Sequence, residues 1–155
     1  KSRVYLETSV ISYLVGWPSR DLVTAAHQQV TREWWSRRSR FDLLVSELVL
    51  QESAGGDPLA AQERLEAIQG LPVLELSVEA RLLARELVHE GAMPGTAVLD
   101  ALHVAVAVVG GMDYLLTWNC AHIANARVRH RIDCVCRAAG FETPVICTPE
   151  ELMED

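Results

Sequence analysis

Four positions far apart in the chain carry oxygen ligands where they could meet: Glu7, Glu52, Asp100 and Asn119. Glu7 lies inside "YLETSVIS", Tyr5 to Ser12, where an apolar strand pattern gives way to a helix. Glu52 closes "VSELVLQE", just past a second strand pattern, with Glu47 ahead of it. Asp100 falls in "LDALHVAVA", and Asn119 ends "YLLTWN". In open α/β sheets, ligands sit outside the carboxyl ends of the strands. Three strand ends would therefore deliver oxygen atoms to one edge, and the helix bearing Asp100 adds a carboxylate if one of its ends approaches. Carboxylates at close range cannot all ionise without a counter-charge. Lys1 is the one lysine, and the arginines fall mainly in two runs elsewhere. A divalent cation meets the need, and oxygen ligands without histidine select Mg²⁺ or Mn²⁺ over zinc. Thr8, Ser9 and Thr117 supply hydroxyls near the same edge, to orient a ligand or water or to serve as caps.

Each acid also has an ordinary explanation. Glu7 alone reads as a solvated strand end, and Glu47 and Glu52 as surface residues, although Glu52 shares a helix face with Leu48 and Val49. Asp100 complements the positive end of its helix. Against that, the helix is apolar on every side, where an unpartnered acid is costly. His103, one turn after Asp100, and His122, after Asn119, could be ligands, but satisfaction by packing or a carbonyl is the favoured reading of each. Convergence of the acids, not any one of them, carries the reading.

The elements that must position these residues follow from period and punctuation. "RVYLET", "FDLLVS", "PVLEL", "DYLLTW" and "PVICT" are short apolar runs of the kind that fill a parallel sheet covered on both faces. Helical patterns lie in "TAAHQQVTREWWSRR", "ELVLQESA", "PLAAQERLEAIQ", "SVEARLLARELVHEG" and the almost wholly apolar "TAVLDALHVAVAVVGG", which is expected to be buried. Ser77 is placed to cap and Gly91 to stop the fourth of these. In "TPEEL", Thr148 and Glu151 form a capping box with Pro149 at the first helical position. The alternation predicts a three-layer α/β sandwich with a mostly parallel central sheet flanked by helices. No linker or repeat divides the 155 residues, so one domain is expected over 1–155.

Composition excludes several classes. A net charge of −7 argues against binding nucleic acid through a general basic field, though not against a local basic stripe. Two such runs exist, Arg37, Arg38 and Arg40, and Arg127, Arg129 and Arg131; each serves equally well as a solvated helix face. Cys120, Cys134, Cys136 and Cys147 lack zinc-site spacing and are expected to be buried thiols. No apolar run reaches the roughly 20 residues that span a bilayer, and a soluble, cytoplasmic protein with no membrane partner is expected. No G-x-G-x-x-G follows the first strand, which weakens a reading as a Rossmann-type cofactor enzyme. Trp34 and Trp35 are adjacent, so one is expected in the core while the other meets a partner.

In order and context, "YLETSVIS", "VSELVLQE", "LDALHVAVA" and "YLLTWN" resemble the PIN domain family, the nuclease fold of VapC toxins, over most of the chain from Tyr5 to about Thr148. The branch with "ETS" and "TWN" is the one resembled. The resemblance implies metal ligands at Glu7, Glu52 and Asp100, a fourth position at Asn119, and supporting hydroxyls at Ser9 and Thr117. It also implies a Mg²⁺- or Mn²⁺-dependent endoribonuclease acting as the toxin of a type II toxin–antitoxin pair. RNA as substrate, a cognate antitoxin and a homodimer would be its partners. The family usually carries Asp where Glu7 stands and an acid where Asn119 stands. Glutamate reaches one methylene farther, whereas the amide removes one negative charge. A PIN fold with a weakened site, holding RNA or a protein without cutting it, is the alternative that Asn119 favours.

Overall fold

The computed structural model describes residues 1–153. Five strands, β1 (Ser2–Leu6), β2 (Phe41–Ser46), β3 (Val73–Leu74), β4 (Tyr114–Leu116) and β5 (Val145–Cys147), form one sheet in the order β3-β2-β1-β4-β5. All four pairings are parallel, with Tyr5 opposite Leu44 on one side and Leu115 on the other. The helices are α1 (Thr8–Val15), α2 (Leu22–Ser36), α3 (Glu47–Ser53), α4 (Pro58–Ala67), α5 (Val78–His89), α6 (Val98–Val109) and α7 (Ala126–Ala138). A short 3-10 turn, Arg38–Arg40, leads into β2.

From β1 the chain builds outward through β2 and β3, then crosses back to β4 and continues to β5 on the other side. Because parallel crossovers are right-handed, that reversal puts α1–α4 on one face and α5–α7 on the other. The helices that pack together agree: α1 meets α2, α3 and α4, while α5 meets α6 and α7. The result is the three-layer sandwich that the alternation predicts. The reversal also makes the gap between the carboxyl ends of β1 and β4 a topological switch point, the place where open α/β sheets bind ligands.

Each strand run read from the sequence is a strand here, because a sheet covered on both faces needs side chains that are apolar in both directions. Val4, Tyr5, Leu6, Leu115 and Leu116 are completely buried. Helix α6 is buried from Ala101 through Val108, with only Leu102 partly open, and its first turn exposes Val98 and Leu99. Its small side chains allow close approach to the sheet, and it stops where they run out of room. A Cβ on Gly110 would lie 2.9 Å from Leu74 and 3.0 Å from the Val106 carbonyl. Ser77 caps α5 through the Ala80 N–H, and Gly91 ends it with φ 76°, as expected from glycine's freedom there.

Three expectations are corrected. Helix α7 was not among the helical patterns, although Val128, Ile132, Val135 and Cys136 recur at the i, i+4, i+7 and i+8 spacing of a helix face between charged residues. The Thr148 and Glu151 capping bonds form, but the segment makes only a turn, with a single i to i+4 bond from Leu152 N–H to the Thr148 carbonyl. Only two of the four thiols are buried. Burial raises the Cys136 thiol to about 11 and Cys147 to about 12, whereas Cys120 in a loop and Cys134 on the outer side of α7 are exposed. Trp34 is in the core and Trp35 is partly open, stacked under the Arg38 guanidinium at 4.6 Å. No helix among the described residues is long and apolar enough to cross a membrane.

Leu115, on the strand beside the switch point, is completely enclosed. Truncating it in Leu115→Ala should lower unfolding free energy by about 2–5 kcal/mol in urea titrations, with the m-value unchanged.

Candidate metal centre at the switch point

Strand β1 ends at Leu6, and the next residue already belongs to a helix terminus. Glu7 is the N-cap of α1, its Oε2 accepting from the Ser9 N–H at 3.0 Å. The positive end of α1 favours a negative charge here. Two hydroxyls also donate to Glu7 Oε1, Ser9 Oγ at 2.5 Å and Thr117 Oγ1 at 2.5 Å. Both are themselves fixed by backbone donors from the segment after β4: Trp118 N–H to Ser9 Oγ and Asn119 N–H to Thr117 Oγ1, each 2.9 Å. The Glu7 N–H in turn donates to the Leu116 carbonyl. This lattice ties the ends of β1 and β4 together through one carboxylate. Glu7 is only 6% exposed, so it is not a solvated strand end.

Glu52 arrives from α3, whose start is capped by Ser46 through the Val49 N–H. Its Oε1 accepts from Thr8 Oγ1 at 2.5 Å and meets His103 Nε2 at 2.6 Å. Burial, the largest single influence, pushes the Glu52 carboxyl up. Hydrogen bonds from His103 and Thr8 oppose it, and the group is held below the ordinary glutamate value.

His103 comes from α6 and is almost fully buried, with Nδ1 2.7 Å from Tyr5 Oη. Tyr5 Oη lies 2.8 Å from Ser46 Oγ. With a proton on Nε2, His103 donates to Glu52, Tyr5 donates to Nδ1 and Ser46 donates to Tyr5, so every polar atom of the chain is used. Burial raises the Tyr5 phenol far above its usual value; the Ser46 bond opposes this and the charges of Glu7 and Glu52 reinforce it. The phenol therefore remains a neutral donor.

Ligand atoms of Glu7, Glu52 and His103 all lie within 4.8 Å of one another, the one such group of three among the described residues. His103 Nε2 is 4.0 Å from Glu7 Oε2. Two carboxylates and one imidazole converging in a half-dry pocket can hold a divalent cation, and the donor chemistry fits one. His103 is satisfied by the side chains of Glu52 and Tyr5, not by a carbonyl, and its Nε2 stands among the atoms that could hold an ion. Its position one turn after Asp100 was visible in the sequence, but nothing there showed which side of α6 would face Glu52.

Asp100 and Asn119 are engaged differently. Asp100 Oδ2 is 2.9 Å from His122 Nδ1, and this carboxylate stands outside the group of three. His122 too is thus partnered by an acid. Asn119 Oδ1 accepts from the His122 N–H at 3.1 Å, while its carbonyl accepts from Ile123 and Ala124. Asn119 thereby folds the loop that presents His122 to Asp100. Glu47 is exposed. Of the arginines, Arg37, Arg38 and Arg40 precede β2 and so lie at the opposite edge of the sheet. Arg127 starts α7 on the ligand-bearing edge and is exposed. Arg129 donates to the Ile146 carbonyl at 2.9 Å and meets Glu151 at 3.5 Å, and Arg131 lines a cavity with Glu86 and Glu90.

No protein-family model matches the sequence, and no curated protein matches it. Solved structures do. A chain in the crystal structure of VapBC2 from Rickettsia felis, bound to a DNA fragment from their promoter, aligns with a TM-score of 0.58. The alignment covers 94% of this chain and 98% of that one at 15% identity. At that identity the likeness is one of fold. Nearly complete coverage of both chains means that the likeness extends over the whole sandwich.

Because the folded-state value of Glu52 is depressed, its ionisation stabilises the fold above the ordinary glutamate pKa of about 4.3 and is lost as pH falls through the folded value. Thr8→Val removes one donor. Carbon-detected NMR of the Glu52 carboxyl should then titrate at higher pH than in the parent, and acid unfolding should begin at correspondingly higher pH.

Proposed function

We propose that this protein is a metal-dependent endoribonuclease that hydrolyses RNA phosphodiester bonds, the toxin of a type II toxin–antitoxin pair. The observation that carries this reading is the meeting of Glu7, Glu52 and His103 at the switch point of a VapC-like sheet. Those three residues would hold the cation. When bound, a divalent cation supplies positive charge to the phosphate oxygens and favours attack by water at phosphorus. Departure of the 3′ oxygen would leave a 5′-phosphate and a 3′-hydroxyl.

The remaining groups divide the work. Ser9 and Thr117 fix the position of Glu7, and Thr8 fixes Glu52. Asp100 lies on the same face of α6 as His103, one turn earlier. By accepting from His122 Nδ1 it would keep Nε2 of that half-exposed ring available to give or take a proton at the same edge. Asn119 positions that ring through the loop it organises. Arg127 would meet substrate phosphates; Arg37, Arg38 and Arg40 face another region. Trp17 and Leu22, 88% and 85% exposed, offer apolar surface for a cognate antitoxin or a second copy in a homodimer.

A second reading is favoured by Asn119, whose amide serves the loop and brings no charge. It is a PIN-like binding module that holds RNA or protein without cutting. Incubating purified protein with total RNA and Mn²⁺, beside an EDTA control, separates the two. The nuclease reading expects discrete products with 5′-phosphates, absent with EDTA. Glu7→Gln should lower the rate by more than about a hundredfold, since losing a ligand exceeds the 10–100-fold effect of outer-shell changes. Circular dichroism establishes that the variant is folded, because Glu7 also caps α1 and ties β1 to β4. Intact RNA with the parent protein would leave only the binding module.

A further inference from the structure

The residues that gather at the switch point differ in one atom type from an all-oxygen site. Glu7 and Glu52 each bring a carboxylate oxygen, but the third atom within 4.8 Å is the imidazole nitrogen of His103. That ring is not a free side chain that happens to be near. It is 1% exposed, its Nδ1 is 2.7 Å from Tyr5 Oη, and Tyr5 is 2.8 Å from Ser46 Oγ, so Nε2 is aimed and held.

We infer that His103 is a nitrogen ligand, and that it makes this centre select a transition-metal dication such as Mn²⁺ or Co²⁺ over Mg²⁺. The inference deepens the metal-dependent reading above and rests on it for the presence of a cation. Magnesium prefers oxygen ligands, retains its waters and demands near-ideal octahedral geometry. Imidazole follows the Irving–Williams order instead, adding affinity for Mn²⁺ and more for Co²⁺, while two carboxylates alone discriminate little.

The surrounding hydrogen bonds can serve this role without gaining or losing a proton. In the metal-free arrangement the neutral ring carries its proton on Nε2 and donates to Glu52. With a metal on Nε2, the single ring proton moves to Nδ1 and donates to Tyr5 Oη. Tyr5 then turns its own hydroxyl proton toward Ser46 Oγ. Both hydroxyls rotate freely enough to reverse direction. Histidine ligands almost always donate their second N–H to such a partner, which fixes the ring and raises its basicity. Glu52 exchanges its His103 hydrogen bond for the cation and keeps the one from Thr8.

The test uses purified full-length protein with MnCl₂, CoCl₂ and MgCl₂. By calorimetry, Mn²⁺ should bind at least about tenfold more tightly than Mg²⁺, with Co²⁺ tighter still. Pulsed EPR of the Mn²⁺ complex should show nitrogen modulation. In His103→Gln the modulation should vanish and the preference over Mg²⁺ should collapse. Tyr5→Phe keeps the ring, so nitrogen modulation should persist while Mn²⁺ affinity falls about tenfold. Circular dichroism establishes that both variants are folded; should His103→Gln unfold, the parent and Tyr5→Phe spectra still decide.

Absence of nitrogen modulation in the parent, equal affinity for Mg²⁺ and Mn²⁺, or no binding of any of the three ions would overturn the inference. RNA cleavage without nitrogen modulation sinks this proposal and leaves the nuclease reading standing. Nitrogen-coupled Mn²⁺ in a protein that leaves RNA intact does the reverse.

Discussion

Two carboxylates brought within a few ångströms of each other, one of them buried, are the constraint around which this structure is arranged. Glu7 and Glu52 come from different strand ends, and nothing local forces them together. Left alone, such a pair would repel or take up a proton. Here each oxygen that approaches the other acid is given donors. Glu7 receives the Ser9 N–H and the hydroxyls of Ser9 and Thr117, and Glu52 receives Thr8 and His103. Hydrogen bonds to a charged acceptor are about twice as strong as neutral ones. That is why Glu52 stays ionised although burial pushes against it.

The fold supplies those donors by bringing four chain segments to one edge. Helix α1 begins immediately after β1, so its terminus and its cap are Glu7 itself. Ser46 both caps α3 and anchors Tyr5, linking the direction of the helix that carries Glu52 to the ring that meets it. Helix α6 carries His103, and its run of Ala and Val lets the imidazole reach the sheet, since larger neighbours would hold the helix away. Trp118, immediately after Thr117, donates from Nε1 to Thr31 Oγ1 at 2.7 Å and stacks on His27 at 4.1 Å, fixing the loop to α2. The site is thus continuous with the core. Changes to core packing near β4 reach it through one residue.

How much of this was legible in the sequence depends on the range of the interaction. Strand runs such as "FDLLVS" were readable because burial on both sides of a sheet leaves a local apolar signature. Caps at Ser77 and the stop at Gly91 were readable because they involve neighbours in sequence. The edge to which Glu7, Glu52 and the Asn119 segment would converge followed from strand polarity. What sequence reasoning missed involves rotation about a helix axis and contacts between distant segments. An apolar helix offers no amphipathic stripe to show which way His103 points, whereas α7 does carry a legible one, Val128, Ile132, Val135 and Cys136 at helical spacing between charged residues. Asn119 was readable as a polar residue at a strand end, yet its work in the loop, accepting from the His122 N–H, is a backbone matter that residue type does not reveal.

Both carboxylates that α3 and α6 bring to this edge are paired with a histidine, Glu52 with His103 and Asp100 with His122. A site built only of acids would depend on a cation to offset their repulsion, and its geometry would form only as the ion arrived, as in small metal-nucleated domains. Here the imidazoles and hydroxyls already satisfy the carboxylates, while the ligand atoms remain close enough for an ion to replace a hydrogen bond. Preassembly of this kind reduces the reorganisation that binding requires. At Asn119 the neutral side-chain carbonyl accepts the His122 N–H and holds the loop without adding a further negative charge to the same edge.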